Sequence, residues 1–222
     1  MTLRQSLEDL QLAFANLEKA ARADDKTPLK NTLALNETKE SFTIGDHRSS
    51  VLIFADINRF KSVNTQYGYV AGDAAISFVG RLIYKHFVDD CEAQAFRAGG
   101  DEFVLLIGSG YLDKFEKRAS FFKDCKVEFS GKVFTVSMSF GYAHFSENLA
   151  FDEILSRAET ACKKAKLQGD GKISGWSDDL ERDSLNSVRD TCSNCGTIIS
   201  CEIPKKNTSQ TINICPVCKN TI

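Results

Sequence analysis

Residues Arg97-Ala98-Gly99-Gly100-Asp101-Glu102-Phe103 set two glycines and then two carboxylates between short apolar runs, and few folds can use such a stretch. Gln94-Ala95-Phe96 and Phe103-Val104-Leu105-Leu106-Ile107 read as strands. Adjacent glycines between strands supply the positive φ angles of a tight turn, so the stretch is expected to be a β-hairpin. Gly99 and Gly100 also let a ligand approach the backbone closely. Two carboxylates at one tip repel each other unless a cation or a strong donor compensates them. A hard divalent ion such as Mg²⁺ would do so.

The chain has 222 residues, enough for one full domain and a small appendage, and its 42% hydrophobic content is sufficient for a core. The net charge of −2 offers no global basic surface, so nucleic acid is not indicated as a partner. No basic-then-apolar leader opens the sequence and no apolar run approaches the roughly eighteen residues of a membrane span. The expectation is a cytoplasmic protein with no membrane contact.

Leu3, Leu7, Leu10, Phe14, Leu17 and Ala21 recur at spacings of four and three, a heptad-like pattern that predicts a helix over residues 1–23. That helix could pack on its own domain or self-associate. Asp24, Asp25, Thr27 and Pro28 break the pattern, and only a weak helical signal follows before a loop over 45–50. Val51-Leu52-Ile53-Phe54-Ala55 is a continuous apolar run of strand length, suited to a strand buried on both faces and ending at Asp56. Helices are expected over 71–88, 111–123 and 151–167, and one strand over 132–140. Strands and helices alternating in this way define an α/β or α+β domain over 24–176, with a linker over 177–190 and a separate unit over 191–222.

Asp56-Ile57-Asn58-Arg59-Phe60-Lys61, then Asn64, Gly68, Gly72 and Asp73, then Gly99-Gly100-Asp101-Glu102-Phe103, form a combination that resembles the GGDEF family of diguanylate cyclases. Ser139-Phe140-Gly141 and Ala165-Lys166-Leu167-Gln168-Gly169 extend the match, which covers roughly 24–176. The resemblance implies a palm-like central sheet with surrounding helices, and a homodimer that joins two GTP molecules into cyclic di-GMP with release of pyrophosphate. It implies that Asp56, Asp101 and the Ile57 carbonyl hold Mg²⁺ or Mn²⁺, with Glu102 near the attacking hydroxyl as ligand or base. Lys61 and Lys166 would neutralise the triphosphate, N–H groups of Asn58, Arg59 and Phe60 would cradle phosphate oxygens, and Asn64 and Asp73 would read guanine.

The chain departs from the family pattern at several points. Asn58 replaces an aspartate, Thr65 an aspartate and Tyr69 a histidine, while Asp170 stands where the family often has arginine. The family's amino-terminal signature is only faint in Asp24-Asp25-Lys26-Thr27-Pro28-Leu29-Lys30-Asn31-Thr32. Asp90-Cys91-Glu92-Ala93 replaces the Arg-x-x-Asp motif of product inhibition, so that feedback is expected to be absent. These departures keep open a degenerate domain that binds GTP or a cyclic dinucleotide as effector, and a related palm enzyme making another cyclic nucleotide.

Cys192-Ser193-Asn194-Cys195 and Cys215-Pro216-Val217-Cys218 are two Cys-x-x-Cys knuckles separated by nineteen residues, the spacing of a zinc ribbon. Four thiolates leave no open coordination position, so a structural Zn²⁺ is expected, with iron, disulfides or a redox pair as alternatives. Such a unit could dock a partner protein. Cys91, Cys125, Cys162 and Cys201 read as small buried hydrophobes.

Overall fold

Strand β1, Ser50–Ile57, is apolar on both sides, and that demands cover above and below it. Side chains alternate along a strand. Val51, Ile53, Ala55 and Ile57 enter one buried cluster, and Leu52 and Phe54 enter another. The computed structural model describes residues 3–42, 50–146, 149–177, 187–191 and 198–202. They divide into two units, Met1–Trp176 and Ser177–Ile222.

In the larger unit β1 is flanked by β3 (Glu102–Gly108) and β6 (Met138–His144), with β2 (Gln94–Gly99) and β7 (Ile173–Gly175) at the edges. The order is β2-β3-β1-β6-β7, antiparallel throughout except for the β6–β7 pair. Helices α3 (Phe60–Tyr67), α4 (Tyr69–Ile83) and α6 (Leu112–Ala119) supply residues to the cluster on one face, where Phe87 lies between Phe115 and Phe122 at 4.8 and 5.3 Å. Helices α2 (Thr32–Glu40) and α7 (Phe151–Leu167) supply residues to the other. This is a palm-like α+β arrangement with a mixed central sheet.

Several boundaries differ from the sequence expectation. The strand expected over 132–140 is two, β5 (Lys132–Val136) paired with β4 (Cys125–Phe129) in a separate ribbon, and β6 in the main sheet. The break falls at Ser137, whose carbonyl accepts the Asn58 N–H at 2.8 Å and whose hydroxyl accepts from Asn58 Nδ2 at 3.0 Å. The helix expected over 71–88 starts earlier, at Tyr69, and passes into a π turn over Tyr84–Val88 and the short α5 (Asp89–Cys91). The helix expected over 111–123 is regular only within α6, with 3₁₀ turns at both ends.

Helix α1 spans Leu3–Ala21, and its apolar stripe does not pack on the domain: Leu10 is 68% and Leu17 71% exposed. In the smaller unit, β8 (Ser187–Thr191) pairs antiparallel with β9 (Ile198–Glu202). The linker expected over 177–190 therefore has its last four residues in a strand. No helix among the described residues is long and apolar enough to cross a membrane.

Asn58 is 7% exposed, and its amide also accepts from Ser139 Oγ at 2.9 Å. A buried polar group left without its partner costs about 1–3 kcal/mol. Asn58→Ala is expected to lower unfolding stability by about that amount, read as a reduced denaturation midpoint with unchanged slope.

Candidate functional site

The β1–β3 register sets Asp56 directly opposite Glu102. Residues facing each other across antiparallel strands hold their side chains close, and like charges there are destabilising. The Ile57 N–H donates to the Asp101 carbonyl at 3.2 Å, tying the hairpin tip to the end of β1. Gly100 turns with φ +47°, and its carbonyl accepts from Arg97 Nε at 3.0 Å and Nη2 at 2.9 Å. Arg97 Nη1 reaches Asp24 Oδ2 at 3.1 Å with both side chains nearly buried. The three carboxylates Asp56, Asp101 and Glu102 are thus brought to one end of the sheet by β1 and a braced hairpin.

Lys166, from the last turns of α7, answers part of this charge, with Nζ 2.5 Å from Asp56 Oδ1. Burial pushes the Asp56 carboxyl above its ordinary range, Lys166 opposes that rise, and Asp101 adds to it. Glu102 is pushed up by partial burial first and then by Asp56, Asp101 and Glu159. Glu102 is largely exposed, so water screens much of this repulsion. Cys162 lies behind the pair, where burial raises its thiol to about 12 and the Sγ donates to the Ser139 carbonyl at 3.3 Å. It is a packing thiol rather than a nucleophile. Cys91 and Cys125 are likewise buried and free.

On the other side of the hairpin a cleft of about 420 Å³ is lined by Phe60, Lys61, Asn64, Thr65, Tyr69 and Asp101. Lys61 is exposed at this cleft, with no ion pair among the described residues. Asn64 Oδ1 is buried and receives no hydrogen bond, a polar atom left for something to satisfy. Gly72 makes room for it, because a Cβ there would lie 1.9 Å from Asn64 Oδ1. Asp73, the next residue, is held by Lys26 Nζ at 2.6 Å. The backbone turns into α3 through Arg59 at φ +55°, and the Arg59 and Phe60 N–H groups have no acceptor among the described residues. Asn58 corrects the sequence expectation, since its N–H is already given to Ser137.

The donor set fits a hard divalent cation. Asp56 Oδ1 is buried without a directed hydrogen bond, its contact with Lys166 being ionic, and Asp101 and Glu102 add unneutralised carboxylates beside it. The four cysteines expected to form a zinc ribbon, Cys192, Cys195, Cys215 and Cys218, lie outside the described residues. At Asp170, where arginine was missing, Arg59 Nη2 approaches the carboxylate at 3.6 Å. Asp90 pairs with Arg118 at 2.5 Å. Sequence reasoning gave no site role to Arg97, Lys26 and Glu159, which lie at or beside the site. Of these only Arg97 carried a signal, its place next to the glycine pair.

The family described as diguanylate cyclase, GGDEF domain, matches residues 21–172. The chain belongs to that family. It is 27% identical over 176 residues to the diguanylate cyclase DgcP of Pseudomonas aeruginosa, covering 75% of this chain and 26% of that protein. It is 31% identical over 166 residues to the diguanylate cyclase DgcM of Escherichia coli, covering 71% of this chain and 39% of that protein. The chain therefore spans well under half the length of these relatives. The coiled coil and GGDEF domain of DgcB from Caulobacter crescentus, solved with c-di-GMP, superposes with a TM-score of 0.67 at 20% identity, covering 78% of this chain and 94% of that one. That likeness carries the fold.

In metal-free protein the raised carboxyls make the folded state bind more protons than the unfolded chain, so their contribution to stability falls as pH rises through the raised values. Glu102→Gln removes one of the facing charges. Its stability gain over the wild type, measured by denaturation in chelator, is expected to grow as pH rises above the ordinary glutamate value near 4.5.

Proposed function

We propose that the protein is a diguanylate cyclase that condenses two GTP molecules into cyclic di-GMP. The observation that carries this reading is the meeting of Asp56, Asp101 and Glu102 at one sheet end between Lys166 on α7 and Lys61 on α3. Phosphoryl transfer asks the protein for positioning and charge stabilisation more than for covalent chemistry. Each turnover forms two bonds: the 3′-oxygen of each GTP attacks the α-phosphorus of the other, and each broken α–β linkage releases pyrophosphate.

Asp56, Asp101 and the Ile57 carbonyl would hold Mg²⁺ or Mn²⁺, which supplies charge neutralisation at the attacking and leaving oxygens. Lys61 and Lys166 balance the triphosphate from opposite sides of the hairpin. The free N–H groups at Arg59 and Phe60 donate to phosphate oxygens in the manner of a helix N-terminus. Glu102, its carboxyl raised by partial burial and then by Asp56 and Asp101, is suited to take the proton of the attacking hydroxyl. Asn64 and Asp73 orient guanine, and Gly99 and Gly100 keep the tip low enough for the nucleotide to lie across it.

One such site holds one nucleotide, so two copies must face each other. The exposed stripe of α1 is suited to bring them together, with Leu7, Leu10, Phe14 and Leu17 all more than half exposed. The zinc-ribbon reading of the carboxyl-terminal unit rests on cysteine spacing alone and assigns a structural Zn²⁺ and a protein-docking role. A second reading, a degenerate effector domain, is favoured only by Asp170, a carboxylate that stands 3.6 Å from Arg59 Nη2 where the family often has arginine.

Mass spectrometry of purified protein with GTP and Mg²⁺ tests the cyclase reading: cyclic di-GMP is expected, and its absence at every protein concentration overturns that reading. Asp101→Ala is expected to lower the rate by at least about a hundredfold. Leu10→Glu with Leu17→Glu is expected to leave the thermal midpoint of the main transition unchanged while shifting the protein to monomer in sedimentation and lowering specific activity. One zinc per chain is expected in metal analysis, lost in Cys192→Ser with Cys215→Ser.

A further inference from the structure

Lys26 and Asp73 are 47 positions apart, yet the lysine Nζ sits 2.6 Å from Asp73 Oδ1. This is not a loose surface encounter, because the lysine's backbone is built into place. Asp24 Oδ1 accepts from the N–H groups of Lys26 at 3.2 Å and Thr27 at 2.9 Å, and from Thr27 Oγ1 at 2.8 Å. Thr27 is 8% exposed and packs where a Cβ on Gly80 of α4 would meet it at 2.5 Å. Asp24 Oδ2 is in turn gripped by Arg97, the residue that braces the hairpin carbonyl of Gly100. The turn bearing Lys26 is thereby pinned to the helix that bears Asp73 and to the hairpin that bears Asp101.

We propose that Lys26 is a specificity-determining residue that reads the O6 atom of guanine, an inference that rests on Asp73 being the base-reading carboxylate. Guanine presents, in order along one edge, an acceptor at O6, a donor at N1 and a donor at the exocyclic amine. The complement is a donor followed by two acceptors. Lys26 spends one of its three N–H groups on Asp73 Oδ1, and Asp73 Oδ2 has no protein partner among the described residues. The pair therefore offers an ammonium and a carboxylate side by side, in the order guanine requires. Adenine reverses the first two positions, so its amine meets the ammonium and its N1 meets the carboxylate. The ion pair also lets the base close over Asp73 without burying a lone negative charge.

The test measures dissociation constants of the full chain for 3′-deoxy-GTP, which cannot react, for its 6-thio analogue, and for 3′-deoxy-ITP. A hydrogen bond from a charged donor is commonly worth about tenfold or more in binding. Wild type is expected to bind the 6-thio analogue about tenfold more weakly than 3′-deoxy-GTP, since sulfur is a poor acceptor. Lys26→Met should lose this difference while keeping the preference for guanine over inosine, and Lys26→Arg should restore it. A 6-thio penalty that persists in Lys26→Met overturns the proposal, as does tighter binding of 3′-deoxy-GTP by that variant, which would make the lysine a plug. Asp73→Leu reports on the underlying assignment separately: if it leaves the guanine-over-inosine preference intact, Asp73 is not the base reader, whatever Lys26 does.

Discussion

The rest of the site depends on a repulsion set by strand register. Asp56 and Glu102 face each other across β1 and β3, and a slip of one residue would send the Asp56 carboxylate to the opposite face of the sheet. The apolar alternation of β1 forbids that slip, because it would also exchange the two buried clusters. The hydrophobic core therefore pays for an electrostatically unfavourable pairing. Lys166 relieves part of it, and it can do so because α7 packs on the same face of the sheet as Leu52 and Phe54.

Arg97 gives the hairpin its stiffness. A turn whose tip carries a ligand carboxylate is useful only if its backbone does not wander, and glycines alone would let it. Two N–H groups of Arg97 hold the Gly100 carbonyl and a third reaches Asp24, so the most flexible point of the hairpin is held to the chain just after α1. Because the same aspartate organises the turn of Lys26, the hairpin that carries Asp101 and the turn that meets Asp73 share one brace.

What could be read from the sequence was whatever local pattern controls. The continuous run Val51–Ala55 announces a doubly covered strand, and the glycine pair with its flanking apolar residues announces the hairpin. The break at Ser137 was not legible, because an alternating pattern continues through it and only the Asn58 side chain, from a distant strand end, divides it between two sheets. The amino-terminal signature looked faint, yet Asp24 and Asn31 are fully engaged, Asn31 capping α2 through the Ala34 N–H at 3.1 Å. The Lys26–Asp73 contact had no signal, since each residue alone is an ordinary surface charge.

Asn58 shows why a departure from a family pattern need not weaken the chemistry. A carboxylate at this nearly buried position would sit two residues from Asp56, between two serine hydroxyls, adding to a like-charge cluster already held together against burial. The amide makes the same kind of contacts without charge, donating to Ser137 and accepting from Ser139. The negative charge at the sheet end then comes from Asp56, Asp101 and Glu102, with Glu159 lining the cleft beside Glu102. By this argument the substitution removes a charge from a buried and already crowded position, while Asp170 stands on the exposed rim, where water and Arg59 Nη2 at 3.6 Å meet its charge.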